Sequence, residues 1–209
     1  MTGPTTLLTP DNTVALLVDL QPQFAFGVNS IDGQTLLNNV TGLGKTLALY
    51  GVPTVLATIS AKQFGGPTFT QLASLFPDTE VYDRTVINAW ADERVVSSIE
   101  STGRRKLVLA GLWTEVCVAH PALSAIAAGY DVYVVADACG DTSVESHNLA
   151  MHRMMQAGAV PITWVTLLQE LQADWGIAAT ADGASEIAQE HGGTWGIGIR
   201  YAAAMGVGQ

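Results

Sequence analysis

Three features of the chain predict an α/β fold with a mostly parallel sheet buried on both faces. Short apolar runs of strand length recur, among them Val14–Val18, Leu107–Ala110 and Val132–Ala136, and they are continuous rather than alternating. Segments of helix length separate them, the pattern of strand–helix–strand units. Glycines at 51, 103, 129 and 158 close the helical segments.

Taken in order, residues 1–13 are rich in Thr and Pro and are expected over the surface. Val14–Val18 forms the first strand and ends in Asp19-Leu20-Gln21-Pro22. Residues 32–50 form a helix with Leu36, Leu37, Val40, Leu43 and Leu47 on its apolar side; Gly42 and Gly44 weaken it and permit close packing. Residues 52–58 are the next strand, with Pro53 near its start, where a missing N–H is tolerated. A polar connection over 60–67 leads to a short helix over 69–76 and an extended segment over 81–87. A helix over 92–101 follows, then the strand 107–110 and a helix from about Cys117 to Ala127, with Pro121 tolerated in an early turn. Strand 131–136, loop 137–142, helix 143–156, strand 161–165 and helix 167–175 complete a domain over residues 1–175. Residues 176–209 are Gly/Ala-rich yet carry Ile187, Trp195, Ile197, Ile199, Tyr201 and Met205. This appendage is expected to pack on the core or on a neighbouring subunit.

Composition narrows the function classes. The chain has 209 residues, 48% hydrophobic and only 13% charged, against about a quarter charged in an average soluble domain. Part of that apolar surplus is expected in subunit contacts of a homo-oligomer. A formal net charge of −10 with 9 Lys+Arg argues against a nucleic-acid groove. No apolar run reaches membrane-spanning length, and the N-terminus lacks a basic region followed by an apolar core, so the cytoplasm is the expected compartment. Two cysteines, Cys117 and Cys139, make neither a disulfide framework nor a four-ligand metal site. Gly42-x-Gly44-Lys45-Thr46 lacks the full spacing of a phosphate loop and lies inside a predicted helix.

The stretch from Lys106 to Val118 carries the chemistry. An apolar strand passes Gly111 and becomes helical around Cys117, which sets a thiol at a helix start beyond the strand's C-terminal edge. Unpaired N–H groups and the positive helix end favour a thiolate there, and the N–H groups of Trp113 and Cys117 are candidate oxyanion donors. Asp19, after the first strand, and Arg84 can converge on the same edge. In that arrangement Cys117 attacks an electrophilic carbon, Asp19 accepts the thiol proton, and Arg84 holds the carboxylate. Phe24, Phe26, Phe64, Asn88, Trp113 and Thr114 are candidate pocket residues. None of the four histidines has an evident catalytic partner, and no closely spaced His/Asp/Cys cluster suggests a metal.

Leu16-Leu17-Val18-Asp19-Leu20-Gln21 and Gly111-Leu112-Trp113-Thr114-Glu115-Val116-Cys117-Val118 resemble the isochorismatase-like cysteine hydrolases, which include nicotinamidases and other amidohydrolases. Phe76-Pro77-Asp78-Thr79, Asn88-Ala89-Trp90 and Pro121-Ala122-Leu123-Ser124-Ala125-Ile126 further resemble the YcaC-like hydrolases, and the similarity extends over about residues 11–175. The resemblance implies a doubly wound, six-stranded sheet and an Asp–basic–Cys triad at Asp19, Arg84 and Cys117. It implies a cis peptide at Leu112–Trp113 as well. The metal-binding Asp/His pattern of nicotinamidases has no match in 60–67, so no metal or other cofactor is implied. A cysteine nucleophile favours hydrolysis of a small-molecule amide through a covalent thioester. The competing expectation is a redox-responsive or small-molecule-binding oligomer without hydrolysis, motivated by Cys117 and Cys139 both following predicted strands.

Overall fold

The computed structural model describes residues 6–206, so the expectations for residues 1–5 and 207–209 lie outside the described residues. Its centre is β1 (Thr13–Val18), buried at every position, as a strand covered on both faces requires. Beside it run β2 (Thr54–Ile59) and β4 (Lys106–Gly111), with β3 (Val81–Arg84) outside β2, and β5 (Asp131–Val135) and β6 (Val160–Ile162) beyond β4. The sheet order is β3-β2-β1-β4-β5-β6, and every pairing is parallel. The chain builds outward from β1 through β2 to β3, then returns to start again at β4. The strand order reverses between β1 and β4, and at such a point the C-terminal strand ends are where sheets of this kind place their ligands.

The helices that join the strands are α1 (Pro22–Phe26), α2 (Gly33–Leu49), α3 (Thr70–Ala73), α4 (Glu93–Glu100), α5 (Ala119–Ala127), α6 (Val144–Ala157) and α7 (Trp164–Gln172). Side chains that accept from the first-turn N–H groups start several of them. Asp32 caps α2, Asp92 α4, Ser143 α6 and Thr163 α7. Gly42 lets α2 approach α7: a Cβ there would lie 3.1 Å from the Trp164 indole. The same helix contains Lys45 and Thr46, so the stretch is packing surface rather than a phosphate loop.

Three elements differ from expectation. Residues 163–165, read as strand, begin α7, because Thr163 accepts from Thr166 N and starts the helix. The polar connection after β2 is wound into a π-helical turn, Ala61–Gly65. Beyond residue 176 the chain forms two helices, α8 (Ala178–His191) and α9 (Thr194–Ala204). Through Ala184, Ile187 and Ala188 α8 is buried, and it lies against α2, where Lys45 pairs with Glu190 and Asn38 Nδ2 donates to His191 O at 2.9 Å.

Gly111 ends β4 where the backbone of β1 comes closest. An added Cβ would stand 2.1 Å from Val18 O, a backbone atom that cannot move alone. Gly111→Ala is therefore expected to spread the β1–β4 pair and cost about 3 kcal/mol. Thermal unfolding should show Tm lower by about 6–12 °C. An unchanged Tm would mean the two strands separate freely at that point.

Candidate active site

Three strand ends supply the site. Asp19 directly follows β1, Arg84 closes β3, and Cys117 lies past β4 in a π-helical turn, Thr114–Val118, that leads into α5. The Asp19 backbone is held at φ 54°, the left-handed region that side chains other than glycine rarely occupy, while its N–H donates to Ala57 O at 2.9 Å. A strained residue at a sheet edge is a pointer to function when its side chain is also committed. Here it is. Arg84 Nη1 and Nη2 donate to the two Asp19 carboxylate oxygens at 2.6 and 2.8 Å, and Nη2 also donates to Ile87 O at 3.1 Å. Both side chains are almost wholly buried, so this is a desolvated two-point ion pair and not a surface contact. Arg84 Nε has no partner among the described residues, which leaves one buried donor free in the site.

The Cys117 thiol lies beside the Asp19 carboxylate, near enough for each to act on the other's ionisation. Burial and the negative charge of Asp19 push the thiol up to about 12, against the smaller opposing pull of Arg84. Burial also raises the Asp19 carboxyl, with Arg84 offsetting part of that rise. Cys117 therefore rests as a neutral thiol instead of the thiolate expected from its place at a helix start, because burial outweighs the helix end. The Asp19 carboxyl beside it is of increased basicity. Cys117 retains 6% exposure, whereas Cys139 has none, and both thiols are free. Neither of two surface cavities of about 490 Å³ is lined by Cys117.

The peptide Leu112–Trp113 is cis. It turns the chain out of β4 while Leu112 N still donates to Val18 O at 3.1 Å and Thr114 N donates to Gly140 O at 3.1 Å. The two candidate oxyanion donors are not equivalent. Cys117 N already donates to Trp113 O at 2.9 Å, but no backbone acceptor for Trp113 N is found among the described residues.

The candidate pocket residues divide. Phe24 stacks edge-on against both Trp113 (5.4 Å between centroids) and Phe64 (5.6 Å), and the Trp113 indole donates to Phe24 O at 2.9 Å. Phe26 stands away in solvent at 85% exposure. Thr114 is sealed, its hydroxyl 2.9 Å from His147 Nδ1, which suits fixing the π-helical turn rather than lining a pocket. Asn88 is half-buried and committed to Ser124 Oγ (3.0 Å) and Trp90 N (3.0 Å), so it fixes its own loop.

Two further residues hold the site and were not singled out from sequence. Gln21, fully buried, donates to Gly66 O at 2.6 Å and accepts from Ile59 N at 3.0 Å, clamping the turn that carries Phe64. Its position two residues beyond Asp19, within the first family-like motif, was the available signal. Asp141, also fully buried, accepts from Glu115 N and Thr142 N at 2.7 Å each, while its carbonyl accepts from Asn29 N at 2.8 Å. It ties the turn that carries Cys117 to the loop before α6 and to the segment after α1. Asp141→Ala leaves buried donors unpaired, and a loss of about 3 kcal/mol is expected. Where the protein remains folded, kcat should fall more than KM rises. Equal kcat in a folded variant would show that the turn holds itself.

This sheet, with Asp19, Arg84 and Cys117 brought together at its C-terminal edge, defines an isochorismatase-like hydrolase, and the chain belongs to the isochorismatase family: the model of the Isochorismatase domain matches residues 13–166. Within the family it is similar to the YcaC-like hydrolases. The probable hydrolase YcaC of Escherichia coli is 40% identical over 176 residues, 84% of this chain and 85% of that one. The crystal structure of the E. coli protein, described as an octameric hydrolase of unknown specificity, superposes with a TM-score of 0.93 at 35% identity, covering 98% of this chain and 100% of that one. YcaC from Pseudomonas aeruginosa, solved with hexane-2,5-diol and covalent acrylamide, gives a TM-score of 0.92 at 31% identity over 96% and 98% of the two chains. No group of three or more His, Cys, Asp or Glu suited to a metal occurs among the described residues. No helix there is long and apolar enough to cross a membrane.

Proposed function

We propose that this chain is a metal-independent cysteine hydrolase that cleaves the C–N bond of a small amide through a thioester on Cys117. The observation that carries the reading is the buried Asp19 carboxylate, held at both oxygens by Arg84, beside the Cys117 thiol. As the sulfur attacks the carbonyl carbon, Asp19 takes the thiol proton and the C–S bond forms. The carbonyl oxygen becomes negative beside the N–H groups of Trp113 and Cys117, with Trp113 the freer donor. Asp19 passes the proton to the nitrogen, the C–N bond breaks, and ammonia or an amine leaves. Water then attacks the thioester, its proton goes through Asp19 back to sulfur, and a carboxylic acid departs. Arg84 stays protonated throughout and keeps the carboxylate in place.

A high thiol pKa suits this order, because proton loss and bond formation occur together instead of starting from a resting thiolate. Phe24, Phe64 and Trp113 would face a small, planar or apolar amide. The P. aeruginosa relative's covalent acrylamide is consistent with small amides reaching a nucleophile in that protein. Self-association belongs to the same proposal. The E. coli relative is described as octameric, and only 13% of this chain is charged.

Ammonia release from a panel of small primary amides tests the reading. Release above the uncatalysed rate from at least one of them is the expected result. Reversible thiol oxidation with no release from any of them would favour the redox-responsive alternative.

A further inference from the structure

We infer that His147, in the first turn of α6, is a positioning residue for the amide hydrolysis proposed above: through the Thr114 hydroxyl it holds the Trp113 N–H where the negative oxygen develops. This role rests on that hydrolytic reading. Trp113 lies between two neighbours that are each fixed to other elements. Leu112, fully buried, donates from its N–H to Val18 O at 3.1 Å. Thr114, also fully buried, donates from its N–H to Gly140 O at 3.1 Å, and its hydroxyl stands 2.9 Å from His147 Nδ1. That hydroxyl has no other partner among the described residues. The Trp113 carbonyl accepts from Cys117 N at 2.9 Å and from Val116 N at 3.2 Å, so the Trp113–Thr114 peptide is the plane on which the turn is built. The Trp113 N–H itself has no backbone acceptor among the described residues, and its direction follows from how Leu112 and Thr114 are held.

His147 is a firm support. Ser143 Oγ accepts from Ser146 N at 3.0 Å and Ser143 O from His147 N at 3.1 Å, so the ring stands on a capped helix turn. Gly140 and Asp141, by contrast, hold the same turn from a loop. A donor that stabilises a transition state must stay within about 0.5 Å of its working position, which a side chain on a helix secures better than one on a loop. His147 is not placed as a second base. Its ring bonds to Thr114 and, among the described residues, to neither Cys117 nor Asp19. Burial holds the half-buried ring below the ordinary imidazole range, against a smaller opposing pull from Asp141, so it is neutral near pH 7 and brings no charge to the site.

Steady-state kinetics on the best amide of the panel, paired with iodoacetamide alkylation of Cys117, tests this. His147→Leu and Thr114→Val are each expected to lower kcat about tenfold to a hundredfold with little change in KM, as when a group needed only in the transition state is slightly misplaced. The double variant should lose no more than the worse single one, because the same bond is broken in all three. Alkylation develops no oxyanion and should keep its wild-type rate. His147→Asn should recover most of kcat, since its amide reaches the Nδ1 position with both a donor and an acceptor. Should His147→Leu fail to fold, Thr114→Val, which keeps the shape of the side chain, carries the test: an unchanged kcat there overturns the role. Additive losses, or alkylation that falls in step with kcat, overturn it as well, because they show a general loosening of the turn. Wild-type turnover with unaltered variants removes this role alone. A wild type that hydrolyses no amide removes the hydrolytic reading and this role with it.

Discussion

Asp19→Asn is expected to move two readouts in opposite directions. Amide turnover should fall by about 10²–10⁴-fold, the usual worth of a positioned general base. Cys117 alkylation at fixed neutral pH should become faster. The sign follows from what holds the thiol up at about 12: burial first, then the charge of Asp19 beside it, with Arg84 pulling the other way. Replacing the carboxylate removes that raising contribution and leaves the lowering one, so the thiol pKa drops and each unit gives about tenfold more thiolate. In the wild type, alkylation should be slow at pH 8, where a thiol of pKa about 12 is about 10⁻⁴ ionised, and should climb with pH. Leaving Arg84 buried without its full counter-charge costs about 3–5 kcal/mol, so both assays belong well below the melting temperature. Slower alkylation in the variant would show that Asp19 maintains a thiolate rather than receiving a proton.

Cys117→Ala carries the largest expected loss, on the order of 10⁶-fold in kcat, as when a lone nucleophile is removed from a catalytic cluster. The fold should survive, because one small buried group is lost and the cost is about 1 kcal/mol. Alkylation should vanish together with turnover, since Cys139 is fully buried and cannot stand in. A variant that kept most of its activity would remove the thiol from the mechanism.

Much of this fold is legible in sequence because burial on both faces leaves an unmistakable record. Val14–Val18 and Leu107–Ala110 have no polar residue to spare, and both are central strands. The clustering of Asp19, Arg84 and Cys117 follows from the same logic, since each lies at or beyond a strand's C-terminal end. The conformation of individual turns was harder to read. Thr163 reads equally as strand end or helix cap until its partner Thr166 is placed. The roles of Thr114 and His147 depend on a contact 33 residues apart in sequence, which no local pattern encodes. Asp141 sits in a polar loop where a solvated acid is the default expectation; only its burial and its backbone donors reveal it as a clamp. In α8 and α9 the glycines and alanines hid two helices, because small residues there allow close contact, as where Leu49 packs on Gly183.

The most direct measurement is peptide-mapped intact mass of the protein quenched during turnover of a small amide. An acyl group added to Cys117, formed at the rate of ammonia release and absent in Cys117→Ala, is the predicted result. Undiminished ammonia release with no acylated Cys117, or an adduct confined to Cys139, would contradict it.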